Sequence, residues 1–124
     1  MESGKKLQTL KTNRDFQAVY GGGRSAANRQ LIAYAMRNGL GHNRFGFSVS
    51  KKVGNSVTRN KVRRRLKEIV RACRKDEAYA FVPGLDAVFV ARAVCAGLPY
   101  AQLSASVRHV LLKAGVLRPV KPND

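Results

Sequence analysis

With 124 residues and 44% hydrophobic composition, the chain has room for one domain built on one core, and a second domain is excluded by size. Its 24 Lys and Arg outnumber 7 Asp and Glu, and the resulting net charge of +17 favours a polyanion as partner, nucleic acid first of all. No apolar run approaches 18 residues and no amphipathic stretch has a Trp- or Phe-rich face, so a membrane partner is not expected.

Residues Met1 to Leu10 have no apolar stretch behind Lys5 and Lys6, do not read as a secretory signal, and suggest a cytoplasmic location. Thr12 and Asp15 have the spacing of a capping box, with Asp in place of the usual Glu or Gln. They predict a helix over about 12–20 that Gly21-Gly22-Gly23 should stop. Phe16, Val19 and Tyr20 fall on one face of it. From Arg29 to Arg37, apolar residues occupy both alternating positions, as in a strand covered on two sides. Asn38 to Asn43 turn the chain. In the next segment, 44–50, Phe45, Phe47 and Val49 alternate with Gly46, Ser48 and Ser50, giving one bulky and one nearly bare face.

Between Ser56 and about Lys75, Val62, Leu66, Ile69, Val70 and Cys73 form a helical stripe. A turn at Pro83-Gly84 precedes a short strand from Asp86 to Ala91, and Gly97 and Pro99 break the chain again. A last helix is expected from about Tyr100 to Ala114, carrying Tyr100, Leu103, Val107, Val110 and Leu111 on one side, with Gly115 as its stop. The domain is expected to span 1–116, with 117–124 a basic, disordered tail. The order of elements describes an α+β domain, a mixed α/β sandwich.

Residues 51–75 hold eleven Lys and Arg against the single acid Glu68. Opposite the apolar stripe project Asn60, Arg64, Lys67 and Arg71. An ordinary solvated helix face mixes signs, because i,i+4 pairs of opposite charge stabilise it, and this one does not. Lys51, Lys52, Arg59 and Lys61 crowd the positive end of the helix dipole, where each cation typically costs about 0.3–1 kcal/mol. A phosphate docked there reverses that sign, and Gly54-Asn55-Ser56 supplies donor-rich backbone before the helix.

The string from Ser50 through Lys51-Lys52-Val53-Gly54-Asn55-Ser56-Val57-Thr58-Arg59-Asn60-Lys61-Val62-Arg63-Arg64-Arg65-Leu66-Lys67 to Glu68 closely resembles the signature of bacterial ribonuclease P proteins. That family writes the helix around Arg-Asn-Arg followed by Lys-Arg and Arg-Glu. Arg59, Asn60, Arg64 and Glu68 keep the pattern, while Lys61, Arg63 and Lys67 keep only its charge. Lysine at 61 and 67 lacks the guanidinium fork. The likeness extends to Lys11–Phe16, Gly23-Arg24-Ser25, Asn28-Arg29 and Asp86–Arg92, and departs at Gly21-Gly22, where the family often has basic residues.

The resemblance implies a sheet of about four strands and three helices in the order α-β-β-β-α-β-α, with the basic helix in a rare left-handed βαβ crossover. It implies an RNA-binding subunit of ribonuclease P, an endoribonuclease that removes the 5′ leader of precursor tRNA. The partners would be the catalytic RNA, met by Lys51, Lys52, Asn55, Arg59, Asn60, Lys61, Arg63, Arg64, Lys67 and Arg71, and the precursor leader, met by Phe16, Tyr20, Tyr34, Ser48 and Arg92. No obligate protein partner is implied. Ordinary core packing is the other reading of Phe16, whereas a phenol at Tyr20 or Tyr34 tolerates a wet groove.

The acids Asp15, Glu68, Asp76, Glu77 and Asp86 are scattered and show no pair fit to hold a catalytic metal. His42 and His109 are far apart and lack an activating partner. Cys73 and Cys95 lack the spacing of a zinc or disulfide framework. The isolated chain is therefore expected to bind no cofactor and cut no RNA, with Mg²⁺ and the chemistry belonging to the RNA subunit as the family implies. A structural ribosomal RNA-binding protein is the main alternative, and an independent metal-dependent ribonuclease a more distant one.

Overall fold

The structure is a computed structural model that describes residues 6–120. Helix α1 spans Asn13–Gly22, followed by strands β1 Arg24–Ala27, β2 Leu31–Arg37 and β3 Arg44–Val49. Helix α2 covers Ser56–Lys75, strands β4 and β5 are Tyr79–Phe81 and Leu85–Ala91, and a 3-10 turn occupies Ala93–Gly97. Helix α3 runs Tyr100–Lys113 and strand β6 Leu117–Pro119.

The main sheet has the order β1-β2-β5-β3, antiparallel except where β3 pairs with β5. Joining two parallel neighbours requires a crossover, and α2 with β4 makes it. The α+β architecture, its three helices and its four-stranded sheet thus agree with the expectation from sequence.

One sheet face carries Leu31, Ala33, Ala35, Phe45, Phe47, Val49, Leu85, Ala87, Phe89 and Ala91 into the core. Alanines in the centre of β2 and β5 let helices approach, and Phe47 stacks on Phe89 with centroids 5.6 Å apart. The stripe foreseen on α2, Val62 to Cys73, is buried without exception, as are Leu103, Val107, Val110 and Leu111 of α3, whereas Tyr100, expected on the same side, lies exposed in the first turn of that helix. Each such aliphatic side chain contributes about 1.5–3 kcal/mol relative to exposure.

Helix ends follow local chemistry. The Asp15 amide donates to Thr12 Oγ1 at 3.1 Å, and the Thr58 amide to Asn55 Oδ1 at 2.9 Å, so each N-terminus is capped by a side-chain oxygen. Gly54, at φ +156°, has Thr58 so close that an added Cβ would stand 2.9 Å from it. Only glycine turns the chain into α2 at this point.

Three expectations need correction. Gly21 and Gly22 do not stop α1, which runs through both to a cap at Gly23. The small antiparallel sheet of β4 with β6 is absent from the expected order of elements, whereas β1 supplies the third strand expected before the basic helix. Residues 117–119, expected in a disordered tail, form β6, with Leu117 only 1% exposed and pinned opposite Phe81. Residues 121–124 of that tail lie outside the described residues.

Candidate nucleic-acid interface

Helix α2 presents its charge as a continuous outer ridge. Lys51, Lys52 and Asn55 are exposed ahead of it, and Asn60, Lys61, Arg64 and Arg71 along it. There is no acid in its first turn. Among the described residues, neither Arg64 nor Arg71 has an ion pair, and Glu68 pairs with none of the neighbouring cations.

Other members of the predicted set are partly engaged by the protein itself. Arg59 is half-buried and donates from Nε to the Gly54 carbonyl at 3.2 Å. Arg63 donates to Asn60 Oδ1 at 2.8 Å and to the Val49 carbonyl at 3.4 Å. It therefore ties the ridge to the end of β3, a positioning task that its charge alone did not reveal. Lys67, expected to project freely, is half-buried. Arg65, outside the predicted set, donates to the Leu98 carbonyl at 3.3 Å.

The second surface is the other face of the main sheet, where the register sets out two rows. Ser25, Tyr34, Val88 and Gly46 make one row, and Ala27, Ile32, Val90 and Ser48 the next. Helix α1 covers the first row, burying Val19 against Val88 with Leu10 beside them, and Phe16, Tyr20, Tyr34 and Met36 pack around this small core. The bare position foreseen at Gly46 is occupied by Phe16, whose ring atoms would lie 2.8 Å from a Cβ added there. Phe16 thus packs while keeping part of its edge open.

Tyr20 and Tyr34 meet edge to face at 5.0 Å, and both remain half-exposed. The second row, Ala27, Ile32, Val90 and Ser48, is half-exposed beyond them. Arg92 stands exposed at its end, with its amide bound to the Gln30 carbonyl at 2.9 Å. The five residues predicted for a leader therefore share one sheet face, an aromatic wall beside a shallow floor with a cation at its end. The bond from Arg63 to the Val49 carbonyl ties the ridge to the end of β3, the strand that carries Ser48.

Several other polar groups serve the fold. Asp86, 1% exposed, takes two bonds from Arg44, at 2.9 and 2.7 Å, and one from Asn38 at 2.9 Å. Burial pushes its carboxyl up, but the hydrogen bonds from Arg44 and Asn38 and the Arg44 charge outweigh burial and hold it below the ordinary carboxylate value. Asp76 is held low by the Ala78 amide and by Arg108, which also lies over the Tyr79 ring. His109 Nδ1 lies 3.3 Å from Asn28 Nδ2, within a cluster joining α3 to the start of β2. Cys73 and Cys95 are free, and burial pushes both thiols up, away from reactivity. Among the described residues no three His, Cys, Asp or Glu side chains converge as a metal set, and no helix is long and apolar enough to cross a membrane.

Comparison with known proteins supplies an independent line. A family model described as Ribonuclease P matches residues 5–115. The ribonuclease P protein component of Alkaliphilus metalliredigens is 43% identical over 113 residues, 91% of this chain and 96% of that one. Its counterpart from Shouchella clausii is 41% identical over 120 residues, 96% of this chain and 95% of that one. Among solved structures, the Staphylococcus aureus RNase P protein superposes with a TM-score of 0.79 at 37% identity, covering 90% of this chain and 98% of that one.

Proposed function

This chain belongs to the ribonuclease P protein family, and from that premise we propose that it serves 5′ leader removal from precursor tRNA with two separate surfaces. The α2 ridge takes phosphates of the catalytic RNA, and the groove between α1 and the open sheet rows takes the single-stranded leader. Ribonuclease P is an endoribonuclease, and in our reading the RNA subunit holds Mg²⁺ and cuts, while the protein neutralises charge and adds substrate affinity. Family membership weighs against the purely ribosomal alternative.

The observation that carries the proposal is the ridge itself. Exposed cations without counter-ions, gathered on the positive end of a helix, destabilise an isolated protein and favour a bound polyanion. Guanidinium groups suit folded RNA because they fork onto phosphate and stack on bases. In the groove, stacking on Tyr20 and Tyr34 is worth about 1–3 kcal/mol per base. A cytoplasmic setting accompanies this reading, in keeping with two unpaired buried thiols.

The deciding experiment is cleavage of precursor tRNA at low Mg²⁺ with the RNA subunit, the protein, or both. We expect strong stimulation only by the pair. Cleavage by the protein alone, or no stimulation by the pair, overturns the proposal.

A further inference from the structure

At the far end of α2, about 30 Å along the helix from Asn55, lies a cavity of about 710 Å³ that neither RNA surface uses. It opens between the chain before α1, the turn leading into β3, the last turn of α2 and strand β4. Its size is that of a small-molecule site.

Its chemistry is two-sided. Phe81, set edge to face against Phe45 at 5.4 Å, and Tyr79 form an aromatic wall. Lys6, Gln8, His42 and Asn43 stand around it, Arg74 also lines it, and among the described residues no carboxylate does. The side chains of Lys6, Gln8 and His42 make no hydrogen bond among the described residues. Asn43 Oδ1 accepts from the Leu85 amide at 2.8 Å, which leaves its NH₂ group as the donor it can offer. The rim is also held in place: Asn38 donates both to the His42 carbonyl at 3.1 Å and to buried Asp86 at 2.9 Å, fixing the turn that carries His42.

We propose that this cavity is a second nucleotide site, taking one nucleoside monophosphate unit with its base on the Tyr79 and Phe81 wall and its phosphate among Lys6, His42 and Asn43. A flat π-face satisfies the wall, and an anion satisfies a rim whose described residues are donors without an acid among them. The site deepens the RNA-binding reading and rests on it for the source of the nucleotide. It lies at the other end of α2 from the ridge's first-turn cations, and Arg71, one turn before Arg74, is the last residue of the ridge.

The test is an amide-resolved NMR titration of the full chain at low salt with AMP, inorganic phosphate and a five-residue oligoribonucleotide. We expect saturable shifts at Gly41, His42 and Ala80 with AMP, at least tenfold tighter than with phosphate. Tighter binding of the oligoribonucleotide at the same amides identifies an RNA strand as the source, and tighter binding of AMP a free nucleotide. His42→Ala and Lys6→Glu, both exposed positions that should fold, each weaken AMP at least fivefold, and Tyr79→Leu abolishes the preference for AMP over phosphate. AMP shifts absent from these amides, or no tighter than phosphate, overturn the proposal. That result would leave the ridge untouched, since the ridge stands or falls on assembly with the RNA subunit.

Discussion

The side chains that decide most here are those whose partners lie far away along the chain. Asp86 and Arg44 are 42 residues apart, and neither had a pattern in the sequence to announce a buried pair. Removing one partner of such a pair strands the other, so Asp86→Ala should lose about 3 kcal/mol, measured by denaturant unfolding. Because the folded carboxyl sits below its unfolded value of about 3.9, its contribution is complete above about pH 4 and drains away as pH falls through the lower folded value. Asp86→Asn should flatten that acid limb. Tyr34 enters the leader set through the family resemblance, with a phenol's tolerance of a wet groove as support, and the structure leaves it half-exposed. Tyr34→Ala should weaken leader-bearing precursor about tenfold more than mature tRNA in the assembled enzyme. Equal losses would make Tyr34 a packing residue only. Phe16 was not legible alone, since its seat depends on Gly46 from another element.

Among the elements, α2 could be read almost completely, because five apolar residues at helical spacing over twenty positions leave no competing period. What the period could not show is which cations turn back to the protein: Arg63 bonds a carbonyl at the end of β3, and Arg59 one before its own helix. Arg59→Ala combined with Arg64→Ala should cut affinity for the RNA subunit at least tenfold with the circular dichroism spectrum unchanged. Retained affinity would remove α2 from the interface. Strands β4 and β6 were invisible because three residues carry no periodicity, and Pro119 argued for a tail. Leu117→Ala tests that correction directly: a residue buried this deeply should lose about 2–4 kcal/mol in stability, and a neutral result would return it to the tail.

For the molecule as a whole, charge was legible from composition, but its division into a ridge, a groove end and a distant cavity rim required the sheet to be assembled. If the ridge neutralises about 6–10 phosphates, the complex with the RNA subunit should lose roughly 10³–10⁵ in affinity between 50 and 200 mM salt. A flat salt response would assign the binding to something other than phosphate contacts. Finally, α1 is anchored quite differently from the rest. A single side chain, Val19, is fully buried in it, against five in α2, and the chain before it is held to β3 by the Leu10 amide on the Phe45 carbonyl and by the Phe45 amide on the Gln8 carbonyl. Few buried contacts mean a low local opening energy. In the function proposed here, an unyielding half would grip the large partner while a compliant jaw adjusts to whichever bases a given transcript threads beneath it.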